Sequence, residues 1–397
     1  MTSSIFLHEP SFFKDELKFV KNCIKSGWVS TGGGYVNEFE NLISKYTKSK
    51  YCVALNSGTS ALDLSLKVIN VTNKDEIIVP TITFIAPINA VLYNKCAPIF
   101  MDTDKNGNID VKKTIKFLDT QTIFKKKHTY NKKTNKIIKA IIIVHVFGNL
   151  ANLTPLIKIC KKRNIKIIED ASESLGSYLL NTKNKKKHSG TIGDIGCFSF
   201  NANKIITTGS GGAVVTDDKN FYNRINYLST QAKDDAIKFI HNEVGYNMKL
   251  NNISAAIGCG QIQSLEKILK RKKEIYNYYK KKINKLKNFR ILTPPNHSKS
   301  NNWINLLEIV GINSDEYKNY IIRKFFEKNI QVRPVWHPNH LQKKMIKYQK
   351  FEMENFTKYC NTIICLPSGY KLKKNELDKV INIIFQLDKN EKLKNNS

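Results

Sequence analysis

From residue 50 to 217 the chain alternates between short apolar runs and segments that carry one apolar face. The runs occupy 51–55, 76–80, 98–102, 140–146, 166–170, 196–200 and 213–216, and polar or turn-forming residues close each one. Runs this short suit strands better than helices. Between them, 60–69, 86–93 and 154–163 have helical spacing. Strands alternating with helices predict an α/β architecture, a mainly parallel sheet of seven strands joined by crossover helices. Ala140-Ile-Ile-Ile-Val144 has no polar face, so its strand belongs near the sheet centre, covered on both sides. Thr154 followed by Pro155 reads as a helix N-cap and first helical residue. The stretch 124–139 is lysine-rich and weakly patterned, which predicts an exposed loop.

The rhythm changes after residue 250. A long helical stretch, 253–279, reads as one helix or two in sequence, and shorter strands and helices follow. The expected division is a large domain, 1–250, and a smaller C-terminal α/β domain, 251–397, whose polar end, 390–397, frays. With 41% hydrophobic and 25% charged residues, the composition is that of a globular chain with a sizeable core. The charge is not average: 65 Lys and Arg against 33 Asp and Glu give +32. Such an excess brings nucleic acid, anionic membranes and phosphorylated substrates into question as partners. The lysines gather at 125–127, 132–133, 161–162, 185–187 and 270–273, without interleaved aromatics or a nucleic-acid motif. They read as solvated surface charge, with no nucleic acid and no membrane as partner; a nucleic-acid-binding regulator is the remote alternative. The eight cysteines are dispersed, with no C-x-x-C pair and no histidine at ligand spacing, so reduced core thiols are expected and no metal site. The start lacks the charged-then-apolar order of a secretory signal, and no run approaches the ~18 apolar residues of a membrane span. A cytoplasmic protein is the expectation.

Candidate chemistry gathers at strand ends, where open α/β sheets hold their ligands. Lys166-Ile-Ile-Glu-Asp170 ends on a carboxylate. A strand-end aspartate is also a common helix N-cap, so Asp170 alone supports both readings. The next strand leads through Phe198-Ser-Phe-Asn-Ala-Asn-Lys204 into Gly209-Ser-Gly-Gly212. Most lysines are solvated charges. One set among small, uncharged residues sheds hydration, which favours attack of its amine on a carbonyl. After the first strand, Asn56-Ser57-Gly58-Thr59-Ser60-Ala61 opens a helix, and its free amides and hydroxyls suit a phosphate. The same residues also make an ordinary capped turn, and neither a Walker sequence nor G-x-G-x-x-G is present. An acid, a lysine and an anion cradle at three strand ends are the parts that pyridoxal 5'-phosphate requires.

With those parts in place, the chain resembles the DegT/StrS family of sugar-nucleotide aminotransferases, a branch of the aspartate-aminotransferase (type I) fold. The likeness runs from Gly27-Trp-Val-Ser-Thr-Gly32 and Tyr35-Val-Asn-Glu-Phe-Glu40 to Leu366-Pro-Ser-Gly369. It implies that Lys204 holds the cofactor as a Schiff base and that Asp170 keeps the pyridine nitrogen protonated. Glu173 falls near the phenolic oxygen, where the family has Gln, Glu or His, and Phe84 matches the aromatic that stacks on the ring. Gly58, Thr59 and Ser199 match phosphate ligands. Asn247 matches an asparagine that reaches the phosphate from the neighbouring subunit, which implies a homodimer with shared active sites. The implied reaction has two stages: an amino donor, usually L-glutamate, leaves its amino group on the cofactor, and a keto sugar then takes it up.

Within the family, Phe198 to Gly212 and Arg333-Pro-Val-Trp-His337 look most like enzymes that aminate C4 of UDP-2-acetamido-2,6-dideoxy-4-keto-hexose, for surface glycan or nonulosonic acid biosynthesis. GDP-perosamine synthases share much of this pattern, and a 3-keto sugar is a further alternative. Ala202 stands where that branch commonly has Gly, and His337 where Arg is common. Related sugar dehydratases typically carry His at the position of Lys204, so the lysine favours aminotransfer.

Overall fold

A computed structural model describes residues 4–180 and 186–389. The expected fraying end, 390–397, and Lys185 lie outside the described residues. Helices α1 (Lys14–Ser26) and α2 (Gly34–Thr47) precede β1 (Tyr51–Leu55), α3 (Gly58–Val68), β2 (Asp75–Pro80), α4 (Ala86–Tyr93), β3 (Ala97–Met101) and α5 (Val111–Thr120). There follow β4 (Thr122–Lys125), β5 (His128–Asn131), β6 (Ile137–Val144), α6 (Thr154–Lys162), β7 (Lys166–Asp170), β8 (Tyr178–Leu180), β9 (Lys186–His188), β10 (Ile195–Ser199), β11 (Gly212–Thr216) and α7 (Lys219–Ser229). The remainder comprises α8 (Asn252–Gln263), α9 (Leu265–Ile283), β12 (Phe289–Ile291), β13 (Ser298–Lys299), β14 (Asn305–Ile309), α10 (Asp315–Phe326), β15 (Arg333–Pro334), β16 (Lys350–Phe351), α11 (Asn355–Thr362), β17 (Ile363–Leu366) and α12 (Lys374–Lys389).

All seven apolar runs lie in one α/β sheet, in the order β1-β11-β10-β7-β6-β2-β3, which β16 extends at the β3 edge. Strands β10, β7, β6, β2 and β3 are parallel, while β11 runs antiparallel between β10 and β1. The carboxyl ends of β1, β2, β6, β7 and β10 and the amino end of β11 therefore share one edge. Strand β6 sends Ala140, Ile142 and Val144 into one hydrophobic cluster and Ile138, Ile141 and Ile143 into another. A register shift beside Glu76 and Ile77 skips Lys139, which is why Ile138 and Ile141 share a face. Burial on both faces accounts for the unbroken apolar run.

Three expectations are corrected. Residues 124–139 are not a loop: β4 and β5 form an antiparallel hairpin that joins β6 through Tyr130 and Ile137. Its tight turn places Lys126 and Lys127 at φ 48° and 62°, a left-handed pair for which Asn-Gly is the usual signal. Thr154 is not an N-cap. Leu153, fully buried, holds that position without a side-chain bond, and Thr154 is already helical. Lys272 is not a solvated member of its basic run. It falls on the buried stripe of α9 with Leu265, Ile268, Ile275 and Tyr279, and its Nζ donates to the carbonyls of Trp303 and Ser368.

A second core, including Ile275, Tyr279, Leu307, Phe325, Ile364 and Ile384, packs around the sheet β12-β14-β17-β15. The N-terminal segment is tied to it: the Ile5 amide donates to the Asn329 carbonyl at 3.0 Å, and the Ser368 amide donates to the Leu7 carbonyl at 2.8 Å. The eight cysteines are free thiols, all buried except the half-buried Cys360. No helix among the described residues is long and apolar enough to cross a membrane.

Candidate active site

A cavity of about 610 Å³ opens at the shared sheet edge, and Gly58, Thr59, Phe84, Asp170, Glu173, Ser199 and Lys204 all line it. Each arrives on a different piece of chain. Gly58 and Thr59 open α3, Phe84 follows β2, Asp170 ends β7, Glu173 sits in the turns beyond it, Ser199 ends β10, and Lys204 lies in the connection to β11. Asn247 is not among the lining residues: it is exposed beside Thr230, and its carbonyl accepts a 3.4 Å bond from the Asn56 side chain. A second cavity, about 650 Å³, lies between α2, α9 and the β8–β9 pair; Lys48, Lys270, Lys273 and Lys299 are among its walls, and it contains none of these candidate residues.

No helix follows β7, so Asp170 caps none; its carboxylate accepts from the Ser172 amide at 3.1 Å. Burial pushes Asp170 above the usual carboxylate range, opposed by Ser172 and by the charge of Lys204. One residue earlier, Glu169 meets a different environment. It accepts from His145 at 2.8 Å and from the amides of Gly190, Ile192 and Gly193 at 2.9, 2.6 and 2.6 Å. Burial pushes Glu169 up, but His145 and the glycine amides outweigh it and hold the carboxyl below its usual range.

Glu173 accepts from the Phe147 amide at 2.8 Å and lies 3.5 Å from Lys204 Nζ. Burial raises it to about 7, against the pull of Lys204 and the Phe147 amide. The folded chain therefore holds a proton here that the unfolded chain releases between about pH 4.5 and 7. Stability contributed by this group is complete below 4.5 and lost as pH rises through 7, by roughly 3 kcal/mol. Glu173→Gln in the cofactor-free protein should flatten that fall, seen as a smaller loss of unfolding free energy between about pH 5 and about pH 8. Equal slopes in both proteins would refute the assignment.

Aromatic rings close the cavity. Lys204 Nζ lies 4.4 Å from the Trp303 ring centre, and the indole N–H donates to the Asn203 carbonyl at 2.7 Å, fixing the lysine loop. Phe147 stacks on Trp336 at 4.5 Å and 10°, and holds a left-handed backbone at φ 54°. Phe147, Trp303 and His8 lie outside every motif of the sequence, and Trp336 falls within Arg333-Pro-Val-Trp-His337. Rarity was a usable signal, since two of the chain's three tryptophans line this cavity.

The donor set fits a cationic ring bearing a carbonyl and a phosphate. Ser57 caps α3 by accepting from the Ser60 amide at 3.0 Å, which leaves the amides of Gly58 and Thr59 without intrahelical acceptors. A Cβ at Gly212 would stand 2.6 Å from the Gly58 nitrogen, and one at Gly58 2.8 Å from Ser199 Cβ, so both glycines keep the anion cradle open. Asp170 has no ion-pair partner within 4 Å among the described residues, and a pyridinium would supply one. Phe84, 57% exposed, lines the cavity and has no neighbouring side chain stacked on it among the described ring contacts.

A largely parallel sheet that brings an amine, a buried acid and an anion cradle to one edge is the architecture of pyridoxal-phosphate aminotransferases. The DegT/DnrJ/EryC1/StrS aminotransferase family model matches residues 10–385, and the chain belongs to that family. Its members depend on pyridoxal 5'-phosphate. A GDP-perosamine synthase of Escherichia coli O157:H7 is 35% identical over 87% of this chain and 88% of its own. A UDP-4-amino-4,6-dideoxy-N-acetyl-beta-L-altrosamine transaminase of Campylobacter jejuni is 33% identical over 68% of both chains. Among solved structures, the PLP form of the putative sugar aminotransferase Spr1654 from Streptococcus pneumoniae superposes with a TM-score of 0.85 at 24% identity, covering 97% of this chain and 99% of that one.

Proposed function

We propose that the chain is a sugar-nucleotide aminotransferase that moves an amino group from L-glutamate to C4 of a nucleotide-linked 4-keto-6-deoxy sugar. The observation that carries this reading is the meeting of Lys204, Asp170 and the open amino end of α3 in one cavity. Pyridoxal phosphate, when bound, supplies a carbonyl that condenses with amines and a ring that delocalises negative charge from the substrate carbon. Gly58, Thr59 and Ser199 would hold the phosphate, Phe84 would lie against the ring, and Asp170 would keep the ring nitrogen protonated. Lys204 would hold the cofactor through its amine. Its Nζ would take the proton from the donor α-carbon and, in the second stage, deliver one to C4 of the sugar. Glu173, anchored on the Phe147 amide, limits where that amine can swing. Phe147, Trp303 and Trp336 keep water from the reacting carbon.

The same reading makes 1–250 the cofactor-binding domain, 251–397 the small domain and the working unit a homodimer in which Asn247 serves the partner's phosphate site. Exposed apolar side chains at Trp28, Ile237, Phe239 and Val244 support a covered surface there. For the acceptor, the motifs around Lys204 and Arg333 and the Campylobacter relative favour UDP-2-acetamido-2,6-dideoxy-4-keto-hexose; the Escherichia relative favours a GDP sugar as the second reading. In a panel of UDP-, GDP- and dTDP-4-keto-6-deoxy sugars with L-glutamate, kcat/KM should be at least about tenfold higher for the UDP-N-acetyl sugar. Preference for the GDP sugar would replace the first reading by the second.

A further inference from the structure

The cavity of about 650 Å³ between α2, α9 and the β8–β9 pair has no part in the reaction proposed above. Six lysines line it: Lys48, Lys186, Lys187, Lys270, Lys273 and Lys299. They come from four separate stretches of chain, so the fold gathers them and no single basic run does. None of them forms an ion pair among the described residues, although Lys113, Lys249 and Lys318 each find an acid. The two acids in the walls are already engaged: Asp217 accepts from the Lys50 amide at 2.9 Å, and Glu266 accepts from the Tyr46 hydroxyl at 2.9 Å. Hydrogen bonds hold the floor in place. Buried Asn301 donates to the carbonyls of Glu173 and Leu175, both at 2.9 Å, and accepts from the Trp303 amide at 2.9 Å. Buried His188 accepts from the Gly176 amide at 2.8 Å and donates to the Ser189 carbonyl at 2.6 Å. Burial holds its titration down to about 4, so it adds no charge near neutral pH.

Six positive charges against two, set in a concavity with low-dielectric walls, concentrate a field that draws anions. We propose that this cavity binds a chain of phosphates, free or carried on a nucleoside, at a site separate from the active site. A triphosphate carries about four negative charges at neutral pH, which matches the excess. Lysine ammonium groups are compact charges on flexible stems, suited to meeting phosphate oxygens from several sides. The planar fork that pairs with a carboxylate belongs to arginine, and no arginine is among the described lining residues. The volume falls within the range of small-molecule sites, roughly 300–1,000 Å³.

The test is calorimetric titration of the holoenzyme, whose own phosphate cradle is filled, with tripolyphosphate and with UTP at about 0.15 M salt, where long-range surface attraction is screened. The wild type should bind tripolyphosphate at a single site per chain. Lys270→Gln with Lys273→Gln should weaken it by about tenfold, and Lys48→Gln with Lys299→Gln, from other walls, by a similar factor. Lys125→Gln with Lys126→Gln removes the same charge from the β4–β5 hairpin, outside the cavity, and should leave affinity within about twofold. If one cavity pair fails to fold, the other carries the test. UTP bound no tighter than tripolyphosphate would identify the phosphate chain alone as the ligand, and UTP bound tighter and weakened by the same cavity variants would add the nucleoside; both support the proposal. Equal weakening in the hairpin and cavity variants would reveal diffuse attraction to net charge and overturn it. Unchanged affinity in both cavity variants would put the anion elsewhere, and a wild type that binds no tripolyphosphate below about 1 mM would leave the site without a ligand of this class; either result overturns it.

Discussion

Lys204→Ala should purify with no covalently held cofactor, and its transamination rate should fall by about 10⁴-fold, the upper range for loss of a positioned acid and base. Borohydride reduction of the wild-type holoenzyme should fix a pyridoxyl group on Lys204, found by peptide mass spectrometry, and the variant should take up none. The nearest competitor is Lys272, which is fully buried and spends its amine on the carbonyls of Trp303 and Ser368. Among the described residues, Lys204 meets Glu173 at 3.5 Å and the face of Trp303, neither of which blocks attack on a carbonyl in the cavity. A label on Lys272, or on any other lysine, would remove the central assignment.

Asp170→Asn should keep the fold and still bind cofactor but lose about 10² to 10³ in turnover, the range seen when a buried electrostatic partner of the reacting charge is removed. The amide oxygen can still accept from Ser172, so the turn beyond β7 has no reason to change. In the cofactor-free protein the substitution should not lower the unfolding temperature, because a buried carboxylate without an ion-pair partner is a burden on the fold. Loss of activity without loss of stability separates a chemical role from a structural one. Wild-type turnover in the variant would take Asp170 out of the mechanism.

How much of this was legible in the sequence follows from where the information lies. Strands such as Ala140 to Val144 declare themselves because both faces need apolar residues, and the helix opening at Ser57 carries its cap and glycine in adjacent positions. The β4–β5 hairpin was invisible because Lys126 and Lys127 adopt a turn conformation that lysine does not advertise. Lys272 was misread because its basic neighbours outweighed its place on the apolar stripe of α9. At the site, Asp170, Glu173, Ser199 and Lys204 follow strand ends that the pattern locates. His8, Phe147 and Trp303 reach the cavity from three separate stretches, and no local spacing connects them.

Strand β7 works as a partition. Side chains alternate across a sheet, so the two carboxyls at its end, though covalent neighbours, occupy opposite compartments. Glu169 has its charge balanced by His145 and three amides, while Asp170, pushed up by burial, stands where a visiting cation would favour its charged form. Deleting a single residue upstream in β7 would exchange the two compartments, stranding a carboxylate among amides built for the longer side chain. The register of this strand therefore matters as much as the identity of its residues.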